Sequence, residues 1–224
     1  MSEGEPKVVT ADLCSYSSIV LPDTPHALFV RGELADAVGA PDGARVEVIG
    51  GVVVVSPAPS VGHAKIVWYV AQAFARQVNT EHEWECLSGP NLDLIEAEKK
   101  FGAIPDLVVG EAPETELNLQ PEVSCLVSDE VELVVEVTSP SNAFRDRPPL
   151  DGRATKWNGY ARAEVPYHLL VDRDPKVAQV VLYTIPDAGA GAYLDKQVWA
   201  FGEDVVLPEP FGLTIPTGRW SLWG

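Results

Sequence analysis

Two acids set inside apolar runs are the first residues of this chain that could do chemistry. Asp106 sits in Ala103-Ile104-Pro105-Asp106-Leu107-Val108-Val109, and Glu136 in Val131-Glu132-Leu133-Val134-Val135-Glu136-Val137-Thr138-Ser139-Pro140-Ser141. Both runs are short, β-branched and bounded by Pro, Gly or Ser, which predicts strands rather than helix. A carboxylate inside such a run is costly unless something binds it. If the strands are neighbours, Asp106 and Glu136 converge on one point, and two hard oxygen donors there suit Mg²⁺ or Mn²⁺. An ordinary half-exposed strand has the same pattern, because side chains alternate along it. Glu130, Glu132, Val134, Glu136 and Thr138 then form a solvated acidic face, over a core face of Val131, Leu133, Val135 and Val137. Spacing alone leaves both readings open.

A basic island follows the Glu136 run. Arg145, Arg147, Arg153, Lys156 and Arg162 place five of the 16 Lys and Arg residues within 18 positions, where Asp146 and Asp151 are the only acids. This stretch carries +3 in a chain of formal charge −17. Such a molecule repels polyanions at long range, which excludes nucleic-acid binding by net charge; any such role needs a local patch. Arg145, Arg147 and Arg153 are the candidate phosphate contacts. After Pro148-Pro149 a helix is predicted from Gly152 to about Ala163. On it Arg153, Lys156 and Tyr160 share one face, while Ala154, Trp157 and Ala161 point inward. A basic cluster is also what a solvated helix face looks like, but this one directly follows the Glu136 strand.

The elements that must position these groups are readable in part. The first 25 or so residues read as irregular, and a short helix is predicted around Phe29 to Val38, ended by Gly39 and Pro41. Arg45 to Ile49 and Val52 to Val55 flank Gly50-Gly51, the pattern of a hairpin with a two-residue turn. From His63 to about Val78, Ile66, Val67, Val70, Ala71, Phe74 and Val78 recur at helical spacing. Trp84 to Leu87 and Leu92 to Ile95 read as strand pieces. Glu111 to Glu130 reads as an acidic surface insertion with neither period. Tyr167 to Val171, Val177 to Ile185 and Tyr193 to Phe201 are predicted strands of a β-rich C-terminal extension. With no repeats and no linker, the expectation is one domain over residues 1–224, its core at about 45–174, with an α/β fold.

Hydrophobic content of 46% with 22% charged residues is that of a soluble globular protein. No apolar run is long enough to span a bilayer, and Met1-Ser2-Glu3-Gly4-Glu5 is polar, so neither membrane association nor a signal peptide is expected. Cys14, Cys86 and Cys125 have no metal-ligand spacing and leave one thiol over, which points to a reducing cytoplasm.

The order of these pieces resembles the PD-(D/E)XK, restriction-endonuclease-like nuclease superfamily and, more narrowly, the bacterial Uma-two family of restriction endonucleases. The residues behind the resemblance are Glu47-Val48-Ile49-Gly50-Gly51 leading to Ser56-Pro57, and His63 opening a helix. Pro105-Asp106-Leu107-Val108-Val109 and Val134-Val135-Glu136-Val137-Thr138-Ser139-Pro140-Ser141 come next. Lys156, Tyr160-Ala161, Val165-Pro166-Tyr167 and Leu170-Val171-Asp172 complete the set.

The resemblance implies a restriction-endonuclease-like mixed central sheet flanked by helices, with a β-hairpin before it and a β-extension after. That core would hold one or two divalent metals, Mg²⁺ or Mn²⁺, activating water to hydrolyse DNA phosphodiester bonds. Asp106 and Glu136 would be ligands, with His63 and Val137 counted among the metal residues, and His63 alternatively as a phosphate contact. The superfamily lysine sits two residues after the glutamate, where this chain has Thr138; the Uma-like lysine on the following helix corresponds to Lys156. Glu47 resembles the position of a further acid, and Tyr160 would hydrogen-bond into the cluster. If Lys156 acts in the transition state, Lys156→Met is expected to slow cleavage with folding nearly intact, and Thr138→Lys to restore part of the rate. The expected partner is DNA, and a homodimer is among the expected states. The alternative is a noncatalytic nucleic-acid- or protein-binding module on the same scaffold, which Thr138 and the −17 charge favour.

Overall fold

The computed structural model describes residues 8–10, 21–76, 82–95, 97, 99–111 and 124–224. The acidic start of the chain, Cys14, Val78 and residues 112–123 of the acidic loop lie outside them. Strand β1 (Val8–Thr10) precedes helices α1 (Pro25–Val30) and α2 (Leu34–Ala37). Two helices form where one is expected, because Gly32 takes φ +74° between them. Strands β2 (Arg45–Ile49) and β3 (Val52–Ser56) make the expected antiparallel hairpin. Gly50 and Gly51 at its turn have φ +61° and +80°, the left-handed pair that a tight two-residue turn requires. Helix α3 (Val61–Arg76) buries Ile66, Val67, Val70 and Phe74 along one stripe, each side chain worth about 1.5–3 kcal/mol when fully buried.

The middle of the chain supplies β4 (Trp84–Leu87), β5 (Leu92–Asp93), β6 (Gly102–Ala103), β7 (Leu107–Glu111), β8 (Leu126–Val127) and β9 (Leu133–Val137). Helices α4 (Ala143–Asp146) and α5 (Lys156–Arg162) then cross over to β10 (Tyr167–Asp172). Strands β11 (Gln179–Asp187), β12 (Ala192–Ala200), β13 (Val205–Val206) and β14 (Thr214–Ile215) complete the order.

Three local expectations need correction. The N-terminal segment is not wholly irregular, since β1 pairs in parallel with β3. The end of the acidic insertion is ordered too: β8 pairs in parallel with β5, and Ser128–Glu130 forms a 3-10 turn. The helix expected from Gly152 begins at Lys156, because Thr155 caps it. Asn158 N donates to Thr155 Oγ1 at 3.4 Å while Asn158 Oδ1 accepts from Thr155 N at 3.2 Å, a reciprocal capping box. Arg153 therefore precedes the helix and shares no face with Lys156 and Tyr160.

The strands are divided between two mixed six-stranded sheets, ordered β1-β3-β2-β6-β5-β8 and β12-β11-β10-β9-β7-β4, plus a β13-β14 ribbon. The chain changes sheet repeatedly, and between β6 and β7 it does so where Pro105 has no N–H to carry a ladder onward. In the second sheet β9 and β10 run parallel, joined by the α4–α5 crossover, and β7 pairs antiparallel with β9. Alternation assigns the faces. Leu107, Val109, Leu133, Val135 and Val137 pack under α3 together with Phe211, Leu213 and Ile215. Val108, Val134, Leu170 and Val181 face Trp157, Tyr160 and Ala161 of α5, in a cluster that Ile49 and Val54 of the first sheet also join. Leu28, Phe29 and Leu34 cover Val46, Val48 and Val53 on the far side of the hairpin. Among the described residues no helix is long and apolar enough to cross a membrane.

Candidate active site

The register of β7 on β9 brings the two central acids together. Leu107 lies opposite Val135, and Asp106 N donates to Val135 O at 3.1 Å, so the ladder runs one step further and sets Asp106 across from Glu136. Directly opposite residues point to the same face, here the α5 face. Both carboxylates are buried, each 2% exposed, so a solvated acidic strand face is excluded at Glu136. They line a cleft of about 200 Å³ with Glu47, Asp146, His63 and Lys156.

Each carboxylate has its own partners. Asp106 Oδ1 is paired with the Arg45 guanidinium, and Asp106 Oδ2 accepts from Val137 N at 2.8 Å. His63 Nε2 stands 2.8 Å from Asp106 Oδ1, an ion-pair contact, and its Nδ1 has no hydrogen-bond partner among the described residues. Glu136 is straddled by Lys156 Nζ at 3.0 and 3.1 Å and receives a hydrogen bond from Tyr160 Oη. The same ammonium lies 2.9 Å from Glu47 Oε1 and 3.9 Å from Asp146 Oδ1. Glu47 Oε1 also accepts from Ile104 N at 2.8 Å.

These partners separate the acidities. Burial pushes Asp106 up, but His63 and the Arg45 and Lys156 charges outweigh it and hold the carboxyl down at about 2. Burial pushes Glu136 well above the usual glutamate range; Lys156 pulls it back in part, while Asp106, Asp146 and Glu47 add to the rise. Asp146 is lifted by burial to about 7, again against Lys156 and with Asp106 and Glu47. Lys156 is pushed down by burial and raised more strongly by Glu136, Glu47, Asp146 and Asp106, so it stays protonated. The difference is one of sharing: Asp106 has a cation of its own, whereas Glu136 and Asp146 share a single ammonium.

Two residues of this cluster escape the sequence reading. Arg45 could have been found, because it sits two residues before Glu47 and so shares its strand face. Asp146 carries no such signal: flanked by Arg145 and Arg147, it reads as a solvated counter-charge, yet it is 5% exposed on α4. Tyr160, which could have been an amphipathic rim residue, is wholly buried.

The three candidate phosphate-binding arginines part company. Arg147 grips Asp172 with Nε–Oδ2 and Nη2–Oδ1 bonds of 2.7 Å each and reaches Asp174 at 3.1 Å. Arg153 is exposed and paired with Asp151 at 2.7 Å. Arg145 lines the cleft, and its Nη1 is buried with no hydrogen-bond partner among the described residues. Thr138 turns away from the acids: its hydroxyl donates to Asp172 Oδ1 at 3.2 Å and accepts from Arg173 N at 3.0 Å.

The donor chemistry fits a hard divalent cation. Four buried carboxylates, Glu47, Asp106, Glu136 and Asp146, face Lys156 and Arg45, and the raised pKa values of Glu136 and Asp146 come first from burial and then from the neighbouring carboxylates. Among the described residues no three His, Cys, Asp or Glu side chains stand at metal-site spacing. One or two carboxylates completed by water and substrate phosphate are what Mg²⁺ ordinarily takes.

Residues 33–218 match a family model described as "Uma2: Putative restriction endonuclease". The structure is similar to a solved protein described as a putative nuclease belonging to DUF820, from Anabaena variabilis. The two share 15% identity at a TM-score of 0.51, over 75% of this chain and 83% of that one. At that identity the likeness speaks for the fold alone, a mixed α/β nuclease-like architecture. No curated protein matches the chain.

Proposed function

Since the chain belongs to the Uma2 family, we propose that it is a divalent-metal-dependent endonuclease that hydrolyses DNA phosphodiester bonds. One observation carries this reading: Asp106 and Glu136 face each other across adjacent strands in one buried cleft, with Lys156 Nζ 3.0 Å from Glu136. Asp106 and Glu136 would hold Mg²⁺ or Mn²⁺, beside His63 and Val137. Such an ion neutralises charge at the attacked phosphate and lowers the pKa of water. The chain's own residues do the rest. Lys156 fixes the Glu136 carboxylate and keeps a permanent positive charge beside the reacting group, the role Thr138 cannot fill. Glu47 holds Lys156 from the other side, and Tyr160 orients Glu136. Arg145, with an unengaged Nη1 at the cleft, receives a substrate phosphate.

A noncatalytic nucleic-acid-binding module on the same scaffold is the second reading. It is favoured by Thr138, which is committed to Asp172 and not to the acids. Plasmid and oligonucleotide DNA incubated with Mg²⁺, Mn²⁺ or EDTA decide between them. Metal-dependent cleavage by the wild type, lost in Asp106→Asn and Glu136→Gln, is the expected result. Binding without cleavage under either metal transfers the conclusion to the second reading.

A further inference from the structure

A second, wider cleft of about 730 Å³ opens beside the catalytic one, and Ser141 and Arg145 line both. Ile49, Val52 and Val54 of the hairpin line it together with Pro148, Pro149 and the exposed Leu150. Ala154, also lining this cleft, meets the hairpin turn: a Cβ added at Gly50 would come within 2.4 Å of Ala154 Cβ. Phe144 projects into the cleft with 53% of its surface exposed. The Arg145 guanidinium lies over the Phe144 ring, Cζ 5.0 Å from the centroid. Of the arginines lining this cleft, Arg147 is held by Asp172 and Arg153 by Asp151. Arg145 Nη1, at the junction of the two clefts, has no hydrogen-bond partner among the described residues.

We infer that this cleft receives an unstacked nucleobase of the strand being cut, its ring against Phe144, while Arg145 binds the adjoining phosphate at the junction. The inference rests on the nuclease reading and narrows it to substrates that are single-stranded or unpaired beside the cut. An apolar lining, an exposed aromatic ring and a guanidinium whose Nη1 has no hydrogen-bond partner among the described residues match a planar ring joined to an anion. A base within an intact duplex is stacked on both sides and cannot offer its face to a side chain.

The test is fluorescence anisotropy with a short labelled oligonucleotide, as single strand and as blunt duplex, with Ca²⁺ replacing Mg²⁺ to hold back turnover. Wild type is expected to prefer the single strand. Phe144→Ala should weaken single-strand binding about five- to a hundredfold, the range of one lost base stack, and leave duplex binding nearly unchanged; Phe144→Trp should restore it. Phe144 is exposed, so its replacement leaves the core intact. Wild-type affinity in Phe144→Ala, or equal losses on both substrates, overturns the base cleft and leaves the nuclease reading standing if metal-dependent cleavage persists. Failure of the wild type to bind or cut any nucleic acid overturns both.

Discussion

Lys156 Nζ lies 3.0 and 3.1 Å from the two carboxylate oxygens of Glu136, so one ammonium caps the entire carboxylate. It also neutralises Glu47 at 2.9 Å and leans on Asp146. Sequence reasoning expects Lys156→Met to leave folding nearly intact. The geometry reverses this, because removing one partner of a buried ion cluster costs about 3–5 kcal/mol. Urea unfolding of Lys156→Met in EDTA at neutral pH should show a loss of that order; a wild-type midpoint would contradict the arrangement.

Stability should depend on pH through Asp146. Its carboxyl is lifted by burial from an ordinary 3.8 to about 7. Between those values the native state holds more protons than the unfolded chain, so this contribution to stability falls as pH rises through the window. Glu136 acts in the same direction. Asp106 acts oppositely: its contribution is present above 3.8 and is lost only as pH falls towards about 2. Thermal unfolding in EDTA across this range should flatten in Asp146→Asn. An unchanged slope would mean that Asp146 is hydrated.

Arg145 and Arg147 should separate cleanly. Arg147→Ala strands Asp172, which is 1% exposed, and is expected to cost about 3 kcal/mol of stability. Its effect on the salt dependence of DNA binding should be small. Arg145→Ala should do the reverse, flattening the log–log salt slope by about 0.9 for one duplex phosphate contact at little cost in stability. Equal slopes in wild type and Arg145→Ala would remove Arg145 from the phosphate contacts.

Thr138→Lys in a Lys156→Met background should not restore cleavage. Position 138 is wholly buried and its hydroxyl bridges Asp172 and the Arg173 amide. A lysine there meets Arg147 on Asp172 rather than Glu136. The double variant should unfold more readily than Lys156→Met alone in a urea titration, with no gain in turnover. A recovered rate would show that the strand position still reaches the acids.

The Asp106–Glu136 encounter is legible only in part: each acid sits in a short β-branched run whose two-residue period fixes its own face, but that the two strands adjoin is not written in either run. The hairpin and the α3 stripe are legible, their periods being unbroken and the hairpin turn glycine-marked. The two-sheet division is not, since strands of the two sheets are interleaved along the chain and Pro105 marks one passage among several. The start of α5 is hidden because Thr155 and Asn158 lie three apart without the Glu or Gln of the usual capping signature. Asp146 is hidden because burial depends on which helix folds over it, and a two-turn crossover with prolines has no period to reveal that.

Between Asp146 and Lys156 the chain runs through Pro148, Pro149 and Leu150, away from every carboxylate of the cluster, and returns at the capped start of α5. Glu47 and Glu136 lie on strands and Asp106 just ahead of one, while this detour meets the hairpin turn where Ala154 approaches Gly50. Substrate grip is thus borne largely by a segment that carries none of the strand-borne acids, although Asp146 and Lys156 stand at its two ends. Its proline-marked middle, Pro148 to Leu150, is the natural handle for engineering a new preference, provided both ends stay where they are.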